Sequence, residues 1–236
     1  MAPKRAREEE PEFVLTYFSL FGKGPSIALA LAHSPLKWKL IFPEDWSSMK
    51  PSTSWGFLPI LEAPGDVQVG HEAAILNYIG HVVPSMGGSS SADFATSQQL
   101  LFQAEDIYQK LVRVQNTIMA KDKVADAELQ AFWSDADGAK HNAKYGVLVY
   151  LSSLERFLAK CGGTASGKFT VHGLTVGECK LFVVLHILKT IKDDVLGGSP
   201  GLTAFYSRIA ALDKTKGFIE GTLEEMPGPF KQYFVA

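Results

Sequence analysis

Residues 57–83 read FLPILEAPGDVQVGHEAAILNYIGHVV. The apolar run at 57–62 predicts a strand, yet Pro59 stands inside it, and proline lacks the N–H that a central ladder requires. Pro64 and Gly65 mark a turn, 66–69 predicts a short further strand, and 72–83 repeats apolar residues at helical spacing. Upstream, 13–19 (FVLTYFS) predicts a strand that Gly22 and Gly24 break. Pro25 suits the first turn of a helix, and 26–33 carries helical spacing. Residues 37–42 (KWKLIF) predict another strand, and 43–50 is polar and irregular. The order is therefore β-α-β, an irregular segment, then β-β-α.

Downstream the pattern changes. Residues 84–92 (PSMGGSSSA) are rich in Gly and Ser and read as a linker. Beyond it strand signals cease, and 96–119, 125–161, 175–193 and 200–212 carry 3.6-residue apolar spacing, with 161–167 (CGGTASG) breaking one helix from the next. The sequence TVGE at 175–178 has the T-x-x-E form of a capping box, ahead of the apolar run 181–188. The expected divisions are a disordered tail at 1–12, a first domain at 13–84, a linker at 85–95 and an all-helical domain at 96–236.

Composition narrows the function. Hydrophobic residues make up 46% of the 236, enough for a core, so disorder is excluded. The net charge of −2 provides no field for nucleic acid. Cys161 and Cys179 form no CxxC, which argues against a disulfide framework or a cysteine-based metal site and for a reducing compartment. The tail MAPKRAREEEPE has no apolar core of a secretory signal. Its Lys4, Arg5 and Arg7 read as part of a solvated segment, with a nuclear-import patch as the lesser reading. No stretch approaches the roughly 18 apolar residues of a membrane span, so no membrane association is expected and the cytoplasm is the expected compartment. His141 and His172 lie in polar or loop contexts and read as surface residues.

In this order, the motifs resemble those of cytosolic glutathione transferases, nearest the sigma class. LTYFSLFGKGP (15–25) is similar to the strand ending in Tyr-Phe and its Gly-containing turn. EDWSSMK (44–50) is similar to the family's Trp-x-x-x-Lys segment, GFLPILE (56–62) to its loop before the cis-proline strand, and HEAAILNYI (71–79) to its Gln-Ser-x-Ala-Ile-x-x-Tyr-Leu helix. The capping box falls where the family has one, usually ending in Asp. The implied fold class is α+β: a thioredoxin-like βαβ-ββα domain followed by an all-α domain.

The resemblance also implies a chemistry. The thiol of glutathione must ionise near neutral pH because the thiolate is the nucleophile, and Tyr17 would be the hydroxyl aimed at sulfur, each unit of pKa lowering being worth about 1.4 kcal/mol. The plainer reading of Tyr17 is a core residue at a strand end. Trp46 and Lys50 match the residues that hold the glycine end, the alternative being a packing Trp and a surface Lys. Leu58 would pair its backbone with the cysteinyl part, and a cis bond before Pro59 would account for proline in that strand. The family's Gln-Ser pair becomes His71-Glu72. His71 would offer an N–H. Glu72 either repels the γ-glutamyl carboxylate, binds the γ-glutamyl ammonium, or stabilises the helix N-terminus. The arginine nearest the thiol becomes Lys23, a first arginine becomes Phe21, and a lysine becomes Phe57. Phe102, Tyr108 and Val112 are candidate lining for a second-substrate pocket, the plainer reading of each being ordinary core.

The function implied is conjugation of the glutathione thiolate to a small hydrophobic electrophile, with isomerase or peroxidase side activity open. Glutathione is the cosubstrate, no metal is expected, and the family implies a homodimer. The alternative is a non-catalytic binding or structural module with a degenerate glutathione site, favoured by His71, Glu72, Phe21 and Phe57.

Overall fold

The computed structural model describes residues 13–120, 132–133 and 146–234. The tail at 1–12 with its basic cluster, His141, and much of the helix expected at 125–161 lie outside them. Four strands form one mixed sheet in the order β2-β1-β3-β4: β1 (Phe13–Thr16), β2 (Trp38–Ile41), β3 (Ile60–Ala63) and β4 (Val67–Gly70). β1 runs parallel to β2, with Leu15 opposite Leu40, and antiparallel to β3, with Thr16 opposite Ile60. Sequence spacing extended β3 over 57–62. The ladder in fact begins just after Pro59, whose missing N–H cannot join it.

Helix α1 (Gly24–His33) packs on β1, and α3 (Glu72–Val82) packs on β4 and on α1. Between β2 and β3 lies the short helix α2 (Trp46–Met49), closed by Asp45, whose carboxylate accepts from the Ser48 amide. α3 buries positions 72, 75, 76, 79 and 80, one helical face that begins with a carboxylate rather than an apolar residue. The stretch read as a linker is largely helical. It holds α4 (Pro84–Gly87) and the start of α5 (Ser91–Ala120), because Ser90 caps the second helix by accepting from the Asp93 amide.

The helical half continues with α6 (Val147–Lys160), α7 (Val176–Ile191), α8 (Pro200–Ala210) and α9 (Asp213–Glu220). α7 is the hub, touching α5, α1, α3 and α8. Because α1 lies between the sheet and α7, it is buried all round from Gly24 to Ala32, and one apolar cluster runs through both halves. α7 carries the expected capping box: Thr175 Oγ1 accepts from the Glu178 amide and Glu178 accepts from the Thr175 amide. Gly177 in its first turn lies so close to α5 that a Cβ there would sit 1.9 Å from the Ser97 carbonyl oxygen.

After α9 the chain returns to the first domain. The Leu40 amide donates to the Glu225 carbonyl (2.7 Å), Phe21 to Lys231 (2.7 Å), and Lys231 to Ser19 (3.2 Å). Met226, Phe230 and Phe234 are buried by this return.

Two histidines make the fold sensitive to acid. His33 Nε2 lies 2.8 Å from Thr215 Oγ1, and His186 Nδ1 lies 2.9 Å from Tyr206 Oη. Burial, helped by the charges of Lys214 and Lys189 respectively, lowers each imidazole to about 4. The unfolded chain takes up these protons near 6.5, so the stability tied to neutral rings is complete above that pH and is lost as pH falls toward 4. Each proton contributes a slope of up to about 1.4 kcal/mol per pH unit. Urea midpoints measured from pH 7 to 4 should fall, and the His33→Gln/His186→Gln double variant should flatten that fall. An unchanged slope would refute the assignment.

Candidate active site

Tyr17 lies just past the end of β1, where the chain turns through Gly22 and Gly24 into α1. The chain can pass this close to Tyr17 because Gly22 and Gly24 carry no side chains. A Cβ at Gly24 would lie 2.2 Å from the Tyr17 ring, and one at Gly22 would lie 2.5 Å from its hydroxyl and 3.3 Å from that of Tyr108. The phenol oxygen accepts a hydrogen bond from the Lys23 amide at 2.9 Å. Among the described residues the phenol proton has no acceptor, so it remains available to donate. Burial raises the Tyr17 pKa to about 12, with Glu72 adding to the rise and the Lys23 and Gly24 amides opposing it. Tyr17 is therefore a neutral donor at any physiological pH. Burial, with Tyr17 and the carboxylates of Glu72 and Glu105, also pushes the neighbouring Tyr108 phenol upward.

Beside these two phenols lies a group of four charges. Lys180, on α7 and only 2% exposed, places its ammonium 2.5 Å from Glu72 Oε2 and 2.9 Å from Glu105 Oε2. Lys23 closes the group, with Nζ 2.7 Å from Glu105 Oε1 and 4.0 Å from Glu72 Oε2. The other Glu72 oxygen accepts from the Ser26 hydroxyl on α1. Both ammonium groups stand over the Tyr108 ring, at 5.4 Å for Lys23 and 4.9 Å for Lys180. Two lysines and two glutamates cancel, which offsets the cost of burying Lys180 and Glu72. Burial alone would raise the Glu105 carboxyl. Lys180, with hydrogen bonds from Lys23 and Gln109, outweighs it and holds the group down at about 2.

The sequence candidates fall into two sets. Tyr17, Lys23 and Glu72 come together. Leu58 and Pro59 approach them along the sheet: their peptide bond is cis, and Pro59 is one residue, and Leu58 two, before Ile60, the strand partner of Thr16. Trp46 stands further out, packed edge-on against Phe18 at 5.8 Å. Lys50 is exposed at the end of α2. His71, immediately before α3, has φ 65°, a left-handed conformation rarely adopted outside glycine. Its ring packs against Phe57 (4.8 Å) and Trp55 (5.6 Å), both exposed.

Of the three candidates for a second pocket, only Tyr108 faces Tyr17, while Phe102 and Val112 lie exposed on the outer side of α5. His172 is exposed, as expected. Sequence reasoning missed Glu105 and Lys180. One signal was present: Lys180 interrupts an apolar helix, and a lysine there requires a buried counter-charge. Among the described residues no His, Cys, Asp or Glu cluster is placed to hold a metal ion, and no helix is long and apolar enough to cross a membrane.

No protein-family model matches the chain. Among curated proteins, Glutathione S-transferase 1 of Ascaris suum is 26% identical over 216 residues, spanning 89% of this chain and 96% of that one. Glutathione S-transferase 4 of Caenorhabditis elegans is 22% identical over 218 residues, with the same coverage of both. Among solved structures, the glutathione S-transferase from Ascaris lumbricoides superposes with a TM-score of 0.71 at 23% identity, covering 91% of this chain and 98% of that one. Prostaglandin synthase D of Nilaparvata lugens gives 0.65 at 21%, covering 89% and 98%. The structural likenesses establish the two-domain fold expected from the sequence.

Proposed function

We propose that this chain, which belongs to the cytosolic glutathione transferase superfamily, conjugates the thiolate of glutathione to a small hydrophobic electrophile. The observation that carries the reading is Tyr17, a buried neutral phenol with its oxygen engaged by the Lys23 amide and its proton unclaimed. Such a donor stabilises an anion placed against it, and a thiolate is the anion this reaction needs. The thiol proton passes to solvent water, the thiolate sulfur then forms a bond to carbon, and the leaving group departs with its electron pair.

The surrounding groups fit the peptide. α3 has no side-chain cap, and its first hydrogen bond is accepted by the His71 carbonyl from the Ile75 amide. The amides of Glu72, Ala73 and Ala74 are therefore open to the γ-glutamyl carboxylate. The Leu58 backbone, next to the cis bond, suits the cysteinyl part. Lys50, exposed, and Trp46 suit the glycine end, and His71 offers a ring N–H. Glu72 does not meet the ligand as a bare charge, because Lys180 neutralises it and both its oxygens are bonded. That removes the main objection to binding. Tyr108, with Phe234 of the returning C-terminal segment packed edge-on against it at 6.0 Å, supports a reading in which these groups meet the electrophile. The protein is proposed to act in the cytoplasm as a homodimer.

Calorimetric titration of glutathione near neutral pH tests this. The expected dissociation constant is below about 1 mM, which corresponds to about 4 kcal/mol, with thioether formed from an activated aryl halide in the same preparation. Absence of both binding and conjugation would overturn the reading in favour of a non-catalytic module.

A further inference from the structure

The buried charge group has a consequence for ligand binding. A glutamate in the first turn of an uncapped helix has a natural partner in that helix's own free amides. In α3 those are the amides assigned above to the γ-glutamyl carboxylate, so a free Glu72 would compete with the ligand for them. Its carboxylate instead turns inward, held by the Ser26 hydroxyl and by Lys180 Nζ. Lys180 is held in turn by Glu105, and Glu105 by Lys23 and Gln109. The contact joins the two halves of the protein, since Glu72 opens α3 and Lys180 lies one turn into α7.

We infer that Lys180 is a positioning residue for the glutathione site: it keeps the Glu72 carboxylate inside the domain interface and so leaves the first turn of α3 open to the ligand's carboxylate. The inference rests on the proposed glutathione reading. Without the Lys180 ammonium, Glu72 has two outlets. It swings toward its own helix end and occupies the anion site, or it turns to Lys23, 4.0 Å away, and leaves uncancelled negative charge beside that site. Either outcome weakens an anionic ligand and leaves the Tyr17 donor in place.

The test compares glutathione with its analogue amidated at the γ-glutamyl α-carboxylate, by calorimetry and steady-state kinetics. Lys180→Met should weaken glutathione about tenfold or more, raise its KM by the same factor, and leave kcat at saturation within about twofold. The amidated peptide should bind parent and variant alike. Adding Glu72→Gln to Lys180→Met removes the competing charge and should restore glutathione to within about threefold of the parent. Ser26→Ala, which releases the other hold on Glu72 and spares the ion pairs, should weaken glutathione several-fold and not the analogue. It decides the question if Lys180→Met does not fold.

If the unaltered chain binds no glutathione, the reading falls and the inference with it. If the unaltered chain binds and neither Lys180→Met nor Ser26→Ala weakens glutathione, the inference alone falls. It also falls if both peptides weaken equally, or if Glu72→Gln restores nothing.

Discussion

Glu178→Ala is expected to bring the protein close to unfolding, with a loss of about 4 kcal/mol from a total that for domains of this kind is about 5–15. The side chain is fully buried. One of its oxygens accepts from the Thr175 amide (3.0 Å), the Thr175 hydroxyl (3.1 Å) and the Thr170 hydroxyl (2.7 Å), and the other accepts from the Phe169 amide (3.1 Å). The two hydroxyls can rotate to other acceptors, but the two amides cannot. Each buried donor left unpaired costs about 1–3 kcal/mol, and the start of α7 also loses its negative charge. The damage spreads because α7 packs against both halves of the protein. Glu178→Gln keeps the shape but turns a carboxamide NH2, itself a donor, toward the donors, so an intermediate loss is expected. Urea unfolding followed by far-UV dichroism measures both. A loss below about 1 kcal/mol for the alanine variant would mean that this network does not hold the helix.

That capping box was legible in the sequence because all its partners lie within three residues of one another. Also legible were the succession of strands and helices along the first domain and the helices α1, α3 and α7, whose apolar periodicity reflects one continuous core. Failures of reading occurred where distant or weakly patterned residues decide the outcome. α9 (DKTKGFIE) buries only Thr215 and Phe218, too few positions to show a period. The Gly- and Ser-rich segment after α3 folded into helix starts because serine both caps helices and fills linkers. The family resemblance offered Phe102 and Val112 along with Tyr108 as possible pocket lining, but a resemblance at the level of a helix does not tell which face of its 30 residues meets Tyr17. The partners of Glu72 were beyond sequence reasoning altogether. Ser26 and Lys180 stand 46 and 108 residues away, and only the fold brings them together. None of the three roles weighed for Glu72 was the pairing found, since each considered the residue against a ligand or its own helix.

Tyr17→Phe is expected to lower the conjugation rate at neutral pH by roughly 10- to 100-fold, the value of one hydrogen bond to a charged acceptor, about 1.5–3 kcal/mol. The phenol is held neutral, its pKa raised to about 12 chiefly by burial, so it acts as a donor and never as the base that takes the thiol proton. Its contribution is therefore a lowered thiol pKa, and the pH profile must show it. The ordinary thiol titrates near 8.5, while beside Tyr17 it should titrate about one to two units lower. The ratio of parent to variant rate should be largest below about pH 6.5, shrink as the variant's thiol ionises, and approach one by about pH 9, where no help is needed. Glutathione affinity should change little, because the peptide's other contacts are untouched. The fold should lose only about 1 kcal/mol, the cost of leaving the half-buried Lys23 amide without its acceptor. Stopped-flow measurement of thiolate absorbance in the binary complex across this pH range reads the shift directly. A variant with an unaltered profile would leave Tyr17 as a core residue at a strand end, and the donor would have to be sought in the neighbouring hydroxyl of Tyr108.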